Sequence, residues 1–261
     1  MRNFRNLLLL ILPYIINCQA NGQKTEHLIW SDEFEYAGLP DPAKWNYEEG
    51  MVRNNEAQYY TRARLENAMV ENNVLTITAR KEDYRGASYT SASIHTKGLF
   101  EFKGGRIEVR AKLPEGRGVW PAVWTLGTNI DQAGWPVCGE IDIMEFVGYE
   151  PNFVYANVHT GDYNHVKGTG RGGRITVEKP FAAFHVYAVE WYHDRMDFYF
   201  DGVKYFTCSR KGEGAGEWPF DAPQYLILNL AIGGAWGGQK GIDDAIFPVE
   251  YQIDYVRIYS F

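Results

Sequence analysis

The sequence predicts an all-β protein in which two antiparallel sheets pack face to face as a β-sandwich. Short runs of alternating apolar and polar residues recur along the chain, bounded by Gly, Pro, Asn and Asp. Helical periodicity is nearly absent. Two aromatic runs also meet at Asp201-Gly202, a strong signal for a two-residue hairpin. Because half-buried strands must cover their apolar faces, two packed sheets are the most economical arrangement.

The clearest alternating segments are assigned to strands. They span residues 73–80, 105–113, 119–126, 153–160, 184–192, 195–202 and 251–259. No internal repeat or low-complexity linker separates them. The 261 residues, 45% hydrophobic and 15% aromatic, therefore suit a single domain with a sizeable core.

The first twenty residues predict a secretory signal peptide. Arg2 and Arg5 precede an apolar run at 7–16, which is too short to favour a transmembrane helix. Two processing routes fit the residues that follow: a bacterial lipoprotein signal ending before Cys18, or a small-residue cleavage site ending at Ala20. We therefore expect an exported protein that is secreted, periplasmic or anchored to the cell surface through a lipid on Cys18.

Charge and cysteine content limit the partners. A net charge of −7 and a pI near 5.4 argue against nucleic acid and anionic membranes, since both bind basic surfaces. A neutral ligand fits better, and we expect a monomer. After processing, Cys138 and Cys208 remain in the fold. Neither has the His or Cys neighbours of a zinc site, and we favour buried free thiols over a disulfide between them.

The segment "GEIDIMEFVG" at 139–148 places three acidic residues in a strand that otherwise looks buried. Strict alternation would send Glu140 and Asp142 to one face and Glu145 to the opposite face, among apolar residues. An unpaired buried carboxylate is costly, so a plain strand is doubtful. One extra residue near 143–144, a β-bulge, would bring Glu145 round to the face of the other two.

Three carboxyl groups on one face predict acid–base chemistry. Most glycoside hydrolases use two carboxyl groups flanking the scissile bond, and a separation of about 5–5.5 Å indicates retention of configuration. Glu140 and Glu145 could reach that separation across a concave strand. With Asp142 between them the charges cannot all ionise freely, so one pKa rises and that group can act as an acid. The alternative, an exposed acidic edge or calcium loop, is disfavoured by the apolar residues between the acids.

The motif E-I-D-I-M-E resembles the active-site signature of glycoside hydrolase family 16, in the longer, bulged form typical of its β-1,3-glucanases (laminarinases). Other segments agree with that family: "WSDEF" (30–34), "NNEAQYYT" (54–61), "GRIEVRAKLPEGRGVWPAVWTLG" (105–127), "NLAIGG" (229–234) and "DYVRIY" (254–259). The resemblance covers nearly all of 21–261 and implies a concanavalin A-like jelly roll with a concave substrate cleft. It also implies that Glu140 is the nucleophile, Glu145 the acid/base and Asp142 an electrostatic helper.

Aromatic side chains stack on sugar rings, so a glycan cleft needs several of them. Tryptophan is more often a core residue, and we assign Trp30, Trp45 and Trp191 to the core. The resemblance instead places Trp120 and Trp124 in the cleft, on one strand face and outside the core.

Further substrate-binding candidates lie on either side of the catalytic strand in the sequence. Trp135 lies just before the catalytic strand, and Trp236 lies in the Gly-rich "GGAWGGQKG", where it could line the cleft or cover it. His159 occupies the position of a family histidine, whereas Asn54 and Glu56 align with a segment that lines the cleft; a structural histidine and a polar turn are the alternatives.

Metal and cofactor expectations are modest. Many members of the family hold one structural calcium, and the resemblance gives Glu33, Asp254 and a main-chain carbonyl near Asn73 as candidate ligands. No cofactor is expected for catalysis. The "GTGRGG" at 168–173 matches a dinucleotide pattern formally, but "RITVEKPF" after it does not predict the helix that such a site needs.

The expected reaction is retaining hydrolysis of internal β-1,3 bonds in a laminarin-type β-glucan. A lichenase specific for mixed-linkage β-1,3-1,4-glucan is the first alternative. An agarase or porphyranase is a more distant one. A non-catalytic glycan-binding lectin could use the same sandwich, although three acidic residues argue against it.

Overall fold

The computed structural model describes residues 25–212 and 214–261. The predicted signal peptide, residues 1–20, lies outside the described residues. Strands hold 49% of the chain and helices 3%, which confirms the all-β class. Within the described residues, no helix is long and apolar enough to cross a membrane.

The described strands are numbered here in chain order. They are β1 His27–Asp32, β2 Asn46–Tyr47, β3 Gln58–Tyr60, β4 Ala68–Glu71, β5 Val74–Tyr84, β6 Ala87–Ser91, β7 Ser93–His95, β8 Gly105–Lys112, β9 Val119–Gly127, β10 Glu140–Glu145, β11 Phe153–His159, β12 Arg171–Thr176, β13 His185–Trp191, β14 Arg195–Phe200, β15 Val203–Ser209, β16 Gln224–Ile232 and β17 Val249–Ser260. A short helix, α1, spans Ile130–Ala133, and a 3₁₀ turn spans Asp244–Ile246.

The strands form two sheets. The larger sheet runs β15-β14-β13-β8-β17-β5-β6-β3, with β1 beside β17 and β4 beside β5. The smaller sheet runs β12-β11-β10-β9-β16-β7-β2. Neighbours are antiparallel except β3 and β6, which are parallel. The predicted sandwich of two mostly antiparallel sheets is therefore confirmed.

The core lies between the sheets because each contributes one apolar face. On β8, Ile107, Val109 and Ala111 are fully buried while the residues between them are partly exposed. The predicted core tryptophans behave as expected: Trp45 and Trp191 are buried, and Trp30 is partly buried and packs against this core.

The seven predicted segments coincide with strands β5, β8, β9, β11, β13, β14 and β17. Asp201 and Gly202 both have positive φ and join β14 to β15, as the hairpin signal predicts. The "RITVEKPF" segment begins in β12 and not in a helix, so the dinucleotide pattern has no support. Cys138 and Cys208 are buried and free.

The alternation of apolar and polar residues did not predict one central strand, β16. Every residue of β16 is buried, and this strand lies between β9 and β7 in the middle of the smaller sheet. A strand covered on both faces has no polar face, so its sequence lacks the period of two that marks the others.

Candidate active site

Strand β10 contains the predicted bulge, and the bulge sets the direction of Glu145. Opposite β9, Asp142 pairs with Trp124 but Met144 pairs with Val123, so one residue of β10 is extra. The register with β11 shifts over the same stretch. As a result, the three acidic side chains all line one cleft, while the apolar residues of β10 are fully buried in the core.

The cleft encloses about 390 Å³ on the smaller sheet. Three tryptophans and four aliphatic residues line it together with eight polar or charged residues, a combination of apolar surface and polar groups that is typical of a ligand site. The lining residues are Arg53, Asn54, Glu56, Trp120, Ala122, Trp124, Leu126, Trp135, Glu140, Asp142, Glu145, His165, Val166, Asn229 and Ala231.

Glu140 lies at one side of the cleft, between an indole and an imidazole. Trp135 Nε1 donates a 2.8 Å hydrogen bond to Glu140 Oε2, and His159 Nε2 lies 3.7 Å from Oε1. Burial raises the pKa of the Glu140 carboxyl well above its usual range, and the neighbouring Asp142 raises it further. The charge of His159 and the indole N–H oppose this rise in pKa because both favour the carboxylate.

Glu145 has a different set of donors. Trp120 Nε1 donates to Oε1 at 3.0 Å, and Asn157 Nδ2 donates to Oε2 at 2.7 Å. Glu145 is only 8% exposed, and this burial raises the pKa of its carboxyl despite the two N–H donors. Each oxygen of Glu145 is thus held in place while the group is biased toward its protonated form.

Asp142 lies between the two glutamates and is only 3% exposed. Its Oδ2 is 3.4 Å from His159 Nε2. Burial and the charge of Glu145 raise the pKa of the Asp142 carboxyl well above its usual range. Because three buried carboxyl groups cannot all be ionised at low cost, the cluster keeps protons at a pH where isolated acids have lost them.

His159, Glu140 and Asp142 place ligand atoms within 4.8 Å of one another, the spacing that a metal site would need. We assign them to acid–base chemistry and not to metal binding, because Glu140 already accepts the Trp135 N–H. His159 is buried and is not among the cleft-lining residues, so it contacts Glu140 and Asp142 and not the open cleft.

Trp124 was expected to lie outside the core, and that expectation is wrong. It lines the cleft but is only 7% exposed, and it packs in a second apolar cluster with Leu126 and Ile227. Its Nε1 donates to Asn229 Oδ1 at 2.7 Å, and the Arg53 guanidinium lies 4.9 Å from the ring centroid. Trp124 therefore stabilises the floor of the cleft as well as presenting a surface to a ligand.

Asn54 and Glu56 line the opposite part of the cleft. Glu56 is buried and accepts hydrogen bonds from Asn54, Gln58 and Tyr60, at 3.3, 2.8 and 3.1 Å. Asn229 donates to the Tyr60 hydroxyl at 2.9 Å, which connects this network to the cleft floor. Burial raises the pKa of the Glu56 carboxyl. The polar-turn alternative thus fits Asn54, which is exposed, but not Glu56.

Trp236 supports the cleft from behind and is not among the lining residues. Its ring packs edge-on against Trp120, with centroids 5.7 Å apart, and against Tyr155 at 5.0 Å. Gly237 follows it, and a methyl group there would lie 2.8 Å from Trp120 Cβ. Of the two roles that the sequence left open, lining the cleft gains no support, and Trp236 instead contacts the cleft residue Trp120.

Sequence reasoning missed several cleft residues. Arg53, Asn229, His165 and Val166 come from loops or from the fully buried strand β16, where no periodic signal marks them. Asn157 could have been found, because it lies two residues before His159 on β11 and alternation gives both the same face.

The predicted calcium ligands do not fit a cation through their side chains. Arg257 forms a two-pronged pair with Glu33 at 2.8 and 2.9 Å, and Arg110 pairs with Asp254. Asn73 is an exposed residue with φ of 60° just before β5. Because each carboxylate is already neutralised by an arginine, only main-chain carbonyls would be left to a calcium ion, and the calcium expectation gains no support here.

A concave cleft on a β-sandwich, with paired glutamates and an aspartate on its floor, defines a glycoside hydrolase of the two-carboxylate class. The model of "Glycosyl hydrolases family 16" matches residues 55–257. The chain belongs to this family.

Relatives agree along most of the chain. A "Beta-glucanase" of Rhodothermus marinus is 48% identical over 264 residues, covering 95% of this chain and 92% of the relative. The crystal structure of the laminarinase from Rhodothermus marinus superposes with a TM-score of 0.88 at 48% identity, covering 90% of this chain and 97% of that one. A non-specific endo-β-1,3(4)-glucanase of the same family superposes with a TM-score of 0.85 at 46% identity, covering 90% and 91%.

One glycine of the rejected dinucleotide pattern has a role at this site. A methyl group at Gly172 would lie 2.0 Å from Asn157 Oδ1, so only glycine leaves room for the amide that holds Glu145. Gly170, in the same segment, has no heavy atom within 3.7 Å of the equivalent position. The two glycines thus offer a matched pair of substitutions.

We expect Gly172→Ala to lower kcat for glycoside hydrolysis about 10- to 100-fold, because displacing the Asn157 amide misplaces the Glu145 carboxyl. Gly170→Ala should keep nearly normal activity. Steady-state kinetics and thermal unfolding of both variants check this, and equal activity of the two would refute the role given to Gly172.

Proposed function

We propose that this protein is a retaining endo-β-glucanase that cuts internal β-1,3-glucosidic bonds. The observation that carries the proposal is the bulge in β10, which puts Glu140 and Glu145 on one cleft face, each with its own hydrogen-bond donors. The similarity to a laminarinase and a β-glucanase of Rhodothermus marinus supports the substrate class.

In this mechanism Glu140 is the nucleophile. Its carboxylate attacks the anomeric carbon while Glu145 donates a proton to the departing glycosidic oxygen. Glu145, now ionised, then takes a proton from the water that hydrolyses the glycosyl–enzyme ester, and Glu140 is released. Burial and the charge of Glu145 raise the pKa of Asp142, which favours its protonated form and so limits the negative charge of the cluster.

The cleft suits a neutral glucan. Trp120, Trp124 and Trp135 supply aromatic surface, and Arg53 and Asn229 supply polar groups for hydroxyls. A β-1,3-glucan chain curves, and we propose that the cleft curves with it between the loop at 127–139 and the loop at 161–170. His165 and Val166 bring the second loop to the cleft lining.

Mixed-linkage β-1,3-1,4-glucan is the second candidate substrate, because one structurally similar enzyme is described as a non-specific endo-β-1,3(4)-glucanase. Agarase or porphyranase activity is less well supported, because the relatives reported above are β-glucanases and, among the cleft-lining residues, Arg53 and His165 are the basic groups that could meet the sulfate of a porphyran. A pure lectin would have no use for three carboxyl groups buried beside one another.

Glu140→Ser should bind glucan but lose at least ~10³-fold in kcat, because the glycosyl–enzyme ester can no longer form. Sodium azide should then occupy the space left by the carboxylate and give an α-glycosyl azide. Glu145→Ala should instead give a β-glycosyl azide from a substrate with a good leaving group, because its nucleophile is intact. NMR of the products decides, and the opposite pair of anomers would exchange the two roles.

Substrate choice is tested by a polysaccharide panel with product sizing. Laminarin should be the best substrate, mixed-linkage glucan should be cut comparably or more slowly, and cellulose, agar and xylan should be untouched. Internal cleavage should give a ladder of oligosaccharides early in the reaction. Hydrolysis of agar or porphyran with laminarin untouched would overturn the proposed substrate.

We also propose that the chain is exported as a monomer whose mature form starts at Cys18 or just after Ala20. The charged start and apolar run of the first twenty residues support export. Intact-mass measurement of the exported protein separates the routes: an acylated Cys18 indicates a lipoprotein. A full-length product that keeps Met1 in the cytoplasm would contradict both.

A further inference from the structure

Three tryptophans line the cleft, and their indole N–H groups have three different acceptors. Trp135 donates to Glu140 at 2.8 Å, Trp120 donates to Glu145 at 3.0 Å, and Trp124 donates to Asn229 at 2.7 Å. Substrate stacking alone would not require any of these contacts, because stacking uses the ring face and leaves the N–H free.

We propose that Trp135 and Trp120 are positioning residues that each control one of the two catalytic carboxyl groups, so that each indole N–H sets one limb of the pH–activity profile. This inference rests on the proposed roles of Glu140 and Glu145. Each ring would thus have an electrostatic role in addition to stacking on the substrate.

Trp135 acts on the nucleophile. Its N–H favours the ionised form of Glu140, which is the form that attacks. If Glu140 loses its proton before Glu145 does, activity should be lost as pH falls through the pKa that governs Glu140. Without the N–H this pKa is higher, so the acid limb moves to higher pH and the active range becomes narrower.

Trp120 acts on the acid/base. Its N–H also favours a carboxylate, but Glu145 must be protonated to begin the reaction. Activity should be lost as pH rises through the pKa that governs Glu145. Without the N–H this pKa is higher, so the alkaline limb moves to higher pH and the active range becomes wider. The two losses thus have the same effect on pKa and opposite effects on the width of the profile.

Other groups around the carboxyl pair would be unchanged by either substitution. Asp142 and His159 face both glutamates, and Cys138 lies near Glu140. Tyr205 lies near Glu145 from β15. Because these groups are coupled, each limb reports a macroscopic pKa of the cluster, and the proposal concerns which limb moves.

Neighbouring groups hold each ring in the orientation that points its N–H at the carboxyl group. Trp135 packs against His165, with ring centroids 5.2 Å apart, and against His159 at 6.0 Å. Trp120 packs against Trp236 and against the backbone of Gly237, as described above. These contacts orient both donors toward the carboxyl groups, with Trp120 partly buried and Trp135 37% exposed, and such orientation is the preorganisation that catalysis needs.

The test compares three matched variants, Trp135→Phe, Trp120→Phe and Trp124→Phe. Phenylalanine keeps an aromatic face and removes only the N–H and the second ring. The readout is kcat/KM on laminarin oligosaccharides against pH, because this quantity reports the pKa values of the free enzyme. We expect the acid limb of Trp135→Phe and the alkaline limb of Trp120→Phe each to rise by about one pH unit. Trp124→Phe should change KM and leave both limbs in place.

A purely structural role for the rings predicts something else: lower activity with both limbs unmoved in all three variants, and that result would overturn the proposal. So would a shift of the same limb in Trp135→Phe and Trp120→Phe. If a variant does not fold, judged by circular dichroism, a tryptophan analogue with sulfur in place of the ring N–H at the same position keeps the ring shape and replaces it in the test.

Failure of the proposed function can be distinguished from failure of the two positioning roles. If the unmodified protein does not hydrolyse laminarin, the proposed substrate is wrong, yet the two pairings can still be measured by ¹³C-NMR titration of carboxyl-labelled glutamate. In that experiment Glu140 should titrate at higher pH in Trp135→Phe only, and Glu145 in Trp120→Phe only. Unchanged titrations would refute the positioning roles independently of activity.

Discussion

The extra residue in β10 is the constraint on which the rest of the site depends. Without the bulge, the period of two would turn Glu145 into the core, where an unpaired carboxylate is costly. With the bulge, Glu140, Asp142 and Glu145 share a face while Ile141, Ile143 and Met144 remain fully buried. The neighbouring strands then supply partners in register: β9 brings Trp120, and β11 brings Asn157 and His159. One irregularity in one strand thus reconciles a packed core with a catalytic surface.

Similar burial has different consequences for the three carboxyl groups because their partners differ. Glu140 has a donor and an imidazole on one side and a second carboxyl group on the other. Glu145 has an N–H donor on each oxygen. Burial raises the pKa of both glutamates, but their partners then act differently: Asp142 raises the pKa of Glu140 further, whereas the N–H donors on Glu145 oppose the rise in its pKa.

The sequence predicts those parts of the molecule that depend on residues close together along the chain. Half-buried strands alternate, so β5, β8 and β17 were predictable, and the bulge could be inferred because three acids stand within one strand. Strand β16 could not be predicted in this way, because it is covered on both faces and has no polar face. Arg53 and Asn229 join the cleft only through the packing of distant segments. Trp124 shows the same limit, since spacing gives its strand face but not how deeply that face is covered.

Glycine-rich segments are often taken as flexible, but in this protein two of them pack closely against the side chains that donate hydrogen bonds to Glu145. At Gly172 the missing side chain leaves room for the Asn157 amide, and at Gly237 it lets the backbone lie against Trp120. Both neighbours donate to Glu145, at 2.7 and 3.0 Å. A larger residue at either position would have to move a donor or the carboxyl group itself. The orientation of the proposed acid/base therefore depends on two residues that do not line the cleft and that carry no side chain, so neither "GTGRGG" nor "GGAWGGQKG" can be interpreted from composition alone.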